Sequence, residues 1–419
     1  MKRKIGFIST RFAGLDGVSL ETKKWAKILE EEGFECYYFA GELDVPEEVS
    51  YLVEEAHFKH PDIESIYNEC FNSNTRKSIV TRKIHEVKKK LKSSLEDFVK
   101  KYEIQLFIAE NSLTIPLNIP LGIAVTEFIA ETKMPTIAHH HDFYWERKRL
   151  LVNSVGEYLH MAFPPVLPSI HHVVINSNAE RELSFRTGIS SVIIPNVLDF
   201  ENPLPPLDDY AADVRENFGI GKEELFILQP TRVVQRKGIE HAIELTSRLG
   251  MKAKLVISHA SGDEGFEYEQ RLREYSKMLG VNTLFISRRI GEKRKVNGQG
   301  EKTYTIWDIY PHADLVTYPS SYEGFGNAFL EAIYSRKPIV VNEYVIYTLD
   351  IGPKGFNVIT LDGYVNEEAL RKTREILTDA EKREKMVKRN YKLAKRYFSL
   401  SVLRRKLNNL IREILYFDS

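Results

Sequence analysis

Short apolar runs separated by amphipathic stretches recur along the whole chain, and their spacing predicts strands alternating with helices. In the first half, the runs at 5–9, 35–40, 105–109, 136–138, 172–176 and 192–194 read as buried strands. Helical periodicity fills 19–32, 121–131 and 177–187, and the long stretch 75–102 repeats Ile79, Ile84, Val87, Leu91, Leu95 and Phe98 on one face. Residues 44–74 are less regular and acidic. The alternation breaks at 201–222, where Pro203, Pro205, Pro206, Asp208 and Asp209 mark a linker. It then restarts, with strands predicted at 225–229, 253–258, 283–287, 313–318 and 338–341 and helices at 239–249, 266–279 and 327–334. Residues 288–302 read as a polar loop, and the chain beyond 366 is mostly helical and highly charged.

Strand and helix alternating in two halves define an α/β protein of two Rossmann-like domains, with ligands expected at the carboxyl ends of the strands, in the cleft where the domains face each other. The expected boundaries are a first domain at 1–200, a linker at 201–222, a second domain at 223–395 and a final helix at 396–419 that packs back on the first domain.

Composition narrows this picture without changing it. At 419 residues the chain is long enough for two or three domains at about 150 residues each. With 59 basic and 59 acidic residues, nothing in the net charge calls for nucleic acid. The two cysteines, Cys36 and Cys70, lack metal-ligand spacing and read as buried, inert thiols. The apolar run after the basic start is too short for a signal peptide. No window approaches the roughly 18 apolar residues of a membrane span, so a cytoplasmic protein is expected. The helix 75–102 carries Arg76, Lys77, Arg82, Lys83, Lys88, Lys89, Lys90 and Lys92. This is the face of a solvated helix, with contact to an anionic membrane as the other reading. The oligomeric state is not legible.

Candidate chemistry concentrates in strand-to-helix loops. In the second half, Glu323-Gly324-Phe325-Gly326-Asn327-Ala328-Phe329-Leu330-Glu331 joins a predicted strand to a predicted helix. Glu331 lies about one turn into that helix, roughly 6 Å along its axis from Asn327. The amides of Phe325, Gly326 and Asn327 open the helix, where its dipole favours an anion. Taken alone, the stretch also fits a tight glycine turn with Glu323 as a cap and Glu331 in a surface ion pair. Arg232 and Lys237 share an earlier loop and suit a diphosphate. In the first half, Gly14 and Gly17 flank a loop that lacks both the dinucleotide and the P-loop spacing, so they allow either close approach to a ligand or an ordinary turn. His139, His140, His141 and Asp142 end another strand and suggest a metal. Neighbouring strand residues point to opposite faces, however, so three adjacent histidines cannot all converge on one ion. One histidine facing the ligand, the others structural and no metal is the expectation.

Four features resemble, in order, a retaining glycosyltransferase of family 4 along nearly the whole chain. They are the glycine loop at 14–18, His141-Asp142, Arg232 and Lys237 followed by Gly238, and the EGFGNAFLE stretch at 323–331. The resemblance implies the GT-B architecture. It also implies that Arg232 and Lys237 hold the donor diphosphate and stabilise the leaving group, while Glu323 with the amides of Phe325, Gly326 and Asn327 binds the transferred hexose. Glu331 would hold the ribose, Gly14 and Gly17 would face the donor phosphates, and His141 would touch the donor sugar near the reacting carbon. The base would lie against Ile286 and Arg289, and Asp142 and His140 would meet the acceptor. No resident cofactor is implied, only a GDP- or UDP-hexose co-substrate. The segments IGFISTRFAGLDGVSLETKKWAKILEEEGFECYYFAGELD and HHHDFYWERKRLLVNS are similar to mannosylglucosylglycerate synthases and related GDP-mannose-dependent enzymes. They imply mannose transfer to a small hydroxylated acceptor such as a glycoside or glucosylglycerate. A UDP-glucose-dependent glucosyltransferase of sucrose-phosphate-synthase type would share every motif. A sugar-nucleotide epimerase of the same architecture, a non-catalytic nucleotide-sugar binder and a pyridoxal-bearing phosphorylase are the other readings.

Overall fold

The computed structural model describes residues 3–14, 16–261 and 266–416. Residue 15 of the predicted glycine loop and the last three residues of the predicted final helix lie outside them. The chain divides into two compact units, residues 1–196 with 403–419, and residues 197–402.

Unit 1 is built on β1 (Lys4–Ile8), α1 (Gly17–Glu31), β2 (Glu35–Ala40), β3 (Ser50–Leu52), α2 (Pro61–Cys70), α3 (Ser78–Tyr102), β4 (Leu106–Glu110), α4 (Ile119–Thr132), β5 (Thr136–His140), α5 (Gly156–Ala162), β6 (Ile170–Val174), α6 (Ser177–Thr187) and β7 (Ser191–Ile193). Its seven strands run in the order β3-β2-β1-β4-β5-β6-β7, and every pairing is parallel. A sheet buried on both faces needs strands that are apolar throughout, and Ile5, Phe7, Ile8, Phe107, Ile108 and Ile137 are fully buried. The predicted apolar stripe of α3 packs inward through Ile84, Leu91, Leu95 and Phe98. Its basic face is not only solvated. Lys88 reaches Glu127 at 2.9 Å and Lys92 reaches Glu131 at 2.5 Å, both on α4, each pair contributing up to about 1 kcal/mol at a surface. Residues 44–74, which show little periodicity, contain β3 and α2. Both cysteines are buried, and burial pushes the Cys70 thiol up to about 11.

Unit 2 begins with a short helix, α7 (Val214–Asn217), and continues through β8 (Leu225–Gln229), α8 (Ile239–Leu249), β9 (Ala253–Ile257), α9 (Glu267–Met278), β10 (Asn282–Phe285), β11 (Lys295–Val296), β12 (Lys302–Thr303), α10 (Ile306–Ile309), β13 (Leu315–Tyr318), α11 (Asn327–Tyr334), β14 (Ile339–Asn342), β15 (Ile359–Leu361), α12 (Glu367–Thr378), α13 (Ala380–Phe398) and α14 (Leu400–Tyr416), the last of which passes into unit 1. Its six-stranded sheet has the order β10-β9-β8-β13-β14-β15 and is also parallel. The stretch 288–302, expected to be a loop, is a correction: it carries an antiparallel ribbon of β11 and β12. Tyr210 of the linker donates to the carbonyls of Lys295 and Thr303 at 2.8 Å, satisfying both acceptors, and Arg294 reaches Asp308.

Both sheets reverse strand order at one point, between β1 and β4 in unit 1 and between β8 and β13 in unit 2. Loops leaving the carboxyl ends of these strands diverge there and open a crevice, the default ligand site of an open parallel sheet. Among the described residues, no helix is long and apolar enough to cross a membrane.

Candidate active site

In unit 2 the loops after β8 and β13, on either side of the switch point, are tied to each other. The amide and hydroxyl of Ser321 donate to the carbonyl of Arg236 at 2.9 and 3.1 Å. Below them, Thr317 donates to Gln229 and Gln229 to Thr231, each at 2.7 Å and fully buried. Gly238 makes the close approach possible. It sits at φ +58°, and a Cβ there would strike the carbonyl oxygen of Pro319.

The two loops bring Glu323 onto two cations. Lys237 forms a short ion pair with Glu323 Oε1, and Arg236 donates to Oε2 at 3.3 Å. Lys237 and Glu323 are each 8% exposed. Burial opposes ionisation of Glu323, but Lys237 and Arg236 overcome it and hold the carboxyl below its usual range. Burial also lowers the Lys237 pKa, with Glu323 opposing that shift and Arg236 and Arg232 adding to it. The ring of Tyr318 lies 5.4 Å from the Lys237 ammonium. Arg232 itself is exposed. His259, at the end of β9, is kept neutral down to about pH 4 by burial and by the charges of Lys237 and Arg232.

α11 starts at Asn327, with Gly326 as its left-handed cap at φ +117°. The first-turn amides of an α-helix have no acceptor within the helix. Tyr344 Oη donates to the carbonyl of Phe325 at 2.9 Å, and a Cβ at position 326 would collide with that hydroxyl. Gly326→Ala is therefore expected to cost about 1–3 kcal/mol, read as a lower denaturant midpoint. An unchanged midpoint would contradict this account of the cap. One helical turn on, Glu331 accepts from Tyr310 Oη at 3.0 Å. Ile286 is buried at the end of β10, and Arg289 Nε donates to the carbonyl of Lys302 at 2.6 Å. Thus Glu323, Lys237, Phe325, Gly326 and Asn327 share one loop cluster. Arg236, His259 and Tyr310 join the picture without having been singled out in the sequence.

In unit 1, Asp16 caps α1 by accepting from the amides of Val18 and Ser19 at 3.1 Å, with Gly14 left-handed at φ +78° before it. Across the switch point, β4 ends at Glu110, which is in register with His139 of β5. The period-two alternation of β5 sorts the histidines. Glu110 Oε2 lies 2.9 Å from His139 Nδ1 and 3.3 Å from His141 Nε2. His140 turns to the opposite face, 1% exposed, and its ring nitrogens meet Thr114 at 2.5 Å and His172 at 2.9 Å. That burial separates His140 from its expected acceptor contact. The amide of His141 donates to Asn111 Oδ1 at 2.9 Å, and Asp142 accepts from Arg147 Nε at 2.6 Å and from Asn111 at 3.3 Å. Glu110 and Asn111 gave no sequence signal beyond their place at the end of an apolar run.

Burial, with His171 nearby, lowers the His172 pKa from 6.5 to about 4. Below pH 6.5 the unfolded chain takes up a proton that the folded protein refuses until about pH 4, so stability falls through that window by up to about 3 kcal/mol. Thermal melts between these pH values should show the loss in the native chain and less of it in His172→Asn. Equal pH dependence in the two proteins would exclude His172 as its source.

A model of the family described as glycosyl transferases group 1 matches residues 211–393. The chain is 34% identical, over 98% of its own length and 100% of the relative's, to a protein named mannosylglucosylglycerate synthase of Thermotoga maritima. It is 31% identical to the protein of the same name in Petrotoga mobilis, over 96% and 100% of the two chains. Among solved structures, a glycosyltransferase from Rickettsia africae superposes with a TM-score of 0.70 at 16% identity over 99% of each chain. Sucrose-phosphate synthase from Thermosynechococcus elongatus does so with 0.69 at 15% identity over 100% of each. At such identities these two likenesses show the GT-B fold alone.

Proposed function

The chain belongs to the group 1 glycosyltransferases, and from that premise we propose that it is a retaining mannosyltransferase of family 4, moving mannose from GDP-mannose to a small hydroxylated acceptor such as glucosylglycerate. The observation that carries the transferase reading is Glu323, held ionised between Lys237 and Arg236 beside the start of α11. The names of the two relatives matched along their full length support the choice of donor and acceptor.

Breaking a sugar–phosphate bond leaves negative charge on the diphosphate and positive character on the sugar ring. Cations fixed beside the leaving group lower that barrier. Lys237, Arg232 and Arg236 take this role, with the amides of Phe325, Gly326 and Asn327 directed at the donor. Glu323 accepts hydrogen bonds from the transferred hexose and offsets its developing charge. Glu331 holds the ribose, and Ile286 and Arg289 border the base. In unit 1, His141 and Asp142 are the groups offered to the sugars, and Gly14 and Gly17 let backbone approach the phosphates. Retention follows from attack on the same face as the departing phosphate, with no enzyme carboxylate as nucleophile.

A donor screen tests the reading, first by thermal shift with GDP- and UDP-sugars, then by donor consumption with and without glucosylglycerate. GDP-mannose should raise the melting temperature and be consumed only when acceptor is present, giving an α-linked product. Preference for UDP-glucose would transfer the assignment to the glucosyltransferase alternative. Consumption without acceptor would indicate an epimerase or hydrolase, and preference for NAD would overturn the reading altogether.

A further inference from the structure

Glu110 and His139, which the proposed transferase chemistry does not use, converge with His141 at the ends of β4 and β5. Each offers a donor atom, and the three atoms lie within 4.8 Å of one another. Glu110 and His139 are fully buried, and His141 retains 9% of its side-chain surface. We propose that these three side chains form a binding site for a divalent transition-metal ion of the zinc type.

Three observations support it. First, the spacing is that of ligands to one ion. The 2.9 and 3.3 Å separations from Glu110 Oε2 to His139 Nδ1 and His141 Nε2 compare with about 3.3 Å between neighbouring ligands of a tetrahedral ion bound at about 2.0–2.1 Å. Second, the site holds buried polarity that the protein does not satisfy. Glu110 Oε1 is without a hydrogen-bond partner among the described residues, and a cation beside a buried carboxylate offsets the cost of its burial. A second carboxylate oxygen also permits bidentate ligation. Third, the ligands are held from outside. The Trp25 ring stacks on His139 at 4.2 Å, and the backbone amide of His141 donates to Asn111 Oδ1 at 2.9 Å, so both ligands are restrained by packing and hydrogen bonding.

The donor set selects the ion. Two imidazoles and one carboxylate suit zinc, cobalt or iron, whereas magnesium and calcium require oxygen ligands. Three protein ligands leave a further coordination position for water. The site joins the carboxyl ends of β4 and β5, so an ion there would fix the direction of His141 and stabilise the end of the sheet at the switch point.

The test is titration of chelator-treated full-length protein with Co2+, followed by visible absorption, then displacement with Zn2+, with no sugar nucleotide present. One equivalent of Co2+ per chain should generate a d–d band that Zn2+ abolishes and Mg2+ leaves unchanged. Glu110→Gln and His139→Gln, checked for folding by circular dichroism, should each weaken uptake by at least about 100-fold. Should either variant fail to fold, His141→Gln replaces it. Absence of saturable one-to-one uptake by the native chain would overturn the proposal in favour of a cluster held by hydrogen bonds alone. Uptake that survives all three substitutions would do the same, by placing the metal elsewhere.

Discussion

Lys237→Ala is expected to slow sugar transfer by about 100-fold or more, the usual effect of removing one charge-stabilising group from a leaving-group site. It should also lower stability, because it breaks a buried ion pair. Breaking such a pair costs about 3–5 kcal/mol when the remaining charge is left alone. Here Arg236 stays 3.3 Å from Glu323, so the loss should fall below that range. The converse change is harsher, since Glu323→Ala leaves Lys237 and Arg236 facing each other without a carboxylate. The melting temperature should therefore decrease in the order native, Lys237→Ala, Glu323→Ala. Full turnover by Lys237→Ala would remove it from the site, and equal melting temperatures would show that Arg236 contributes nothing to the charge balance.

The second large effect separates the two glutamates of the α11 turn. Glu323→Gln is expected to reduce kcat by about 100-fold, with little change in affinity for the nucleoside diphosphate. Glu331→Gln keeps an acceptor for Tyr310 but loses the charge that the proposed function assigns to the ribose. It should weaken nucleotide binding by about tenfold, the value of a hydrogen bond to a charged group, with a smaller effect on kcat. Calorimetric binding of GDP alongside steady-state kinetics distinguishes these outcomes. The same ratio of kcat to affinity loss in both variants would mean that the two carboxylates share one role.

What the sequence revealed depended on how local each cause is. The turn from β13 into α11 was legible because an apolar run, two glycines and a breaker-free helix occupy neighbouring positions. The role of Arg236 is not legible, since the spacing within the loop singles out Arg232 and Lys237. The tight turn at Gln235–Lys237 instead brings Arg236 and Lys237 together onto Glu323 and leaves Arg232 exposed. Alternation along β5 correctly forbids three adjacent histidines from sharing an ion. It does not forbid two, and the third member, Glu110, arrives through the pairing of β4 with β5, a register that no local pattern states. α2 is not legible for another reason. It starts at Pro61 with His60 as its cap, outside the usual Ser, Thr, Asp and Asn signals.

The return of the chain to unit 1 has a consequence for the order of assembly. Arg404 pairs with Glu31 and Glu32 at the end of α1, and Lys406 donates to the carbonyl of Ile193 at 2.7 Å. The first of these contacts spans 372 to 373 positions of sequence, and closing so long a loop is slow relative to local contacts. A nascent chain would have to finish the whole of unit 2 before this edge of unit 1 could be covered. Unit 1 is thus begun first and completed last, and stalled chains ending near residue 400 should show faster amide exchange at the end of α1 than the full-length protein.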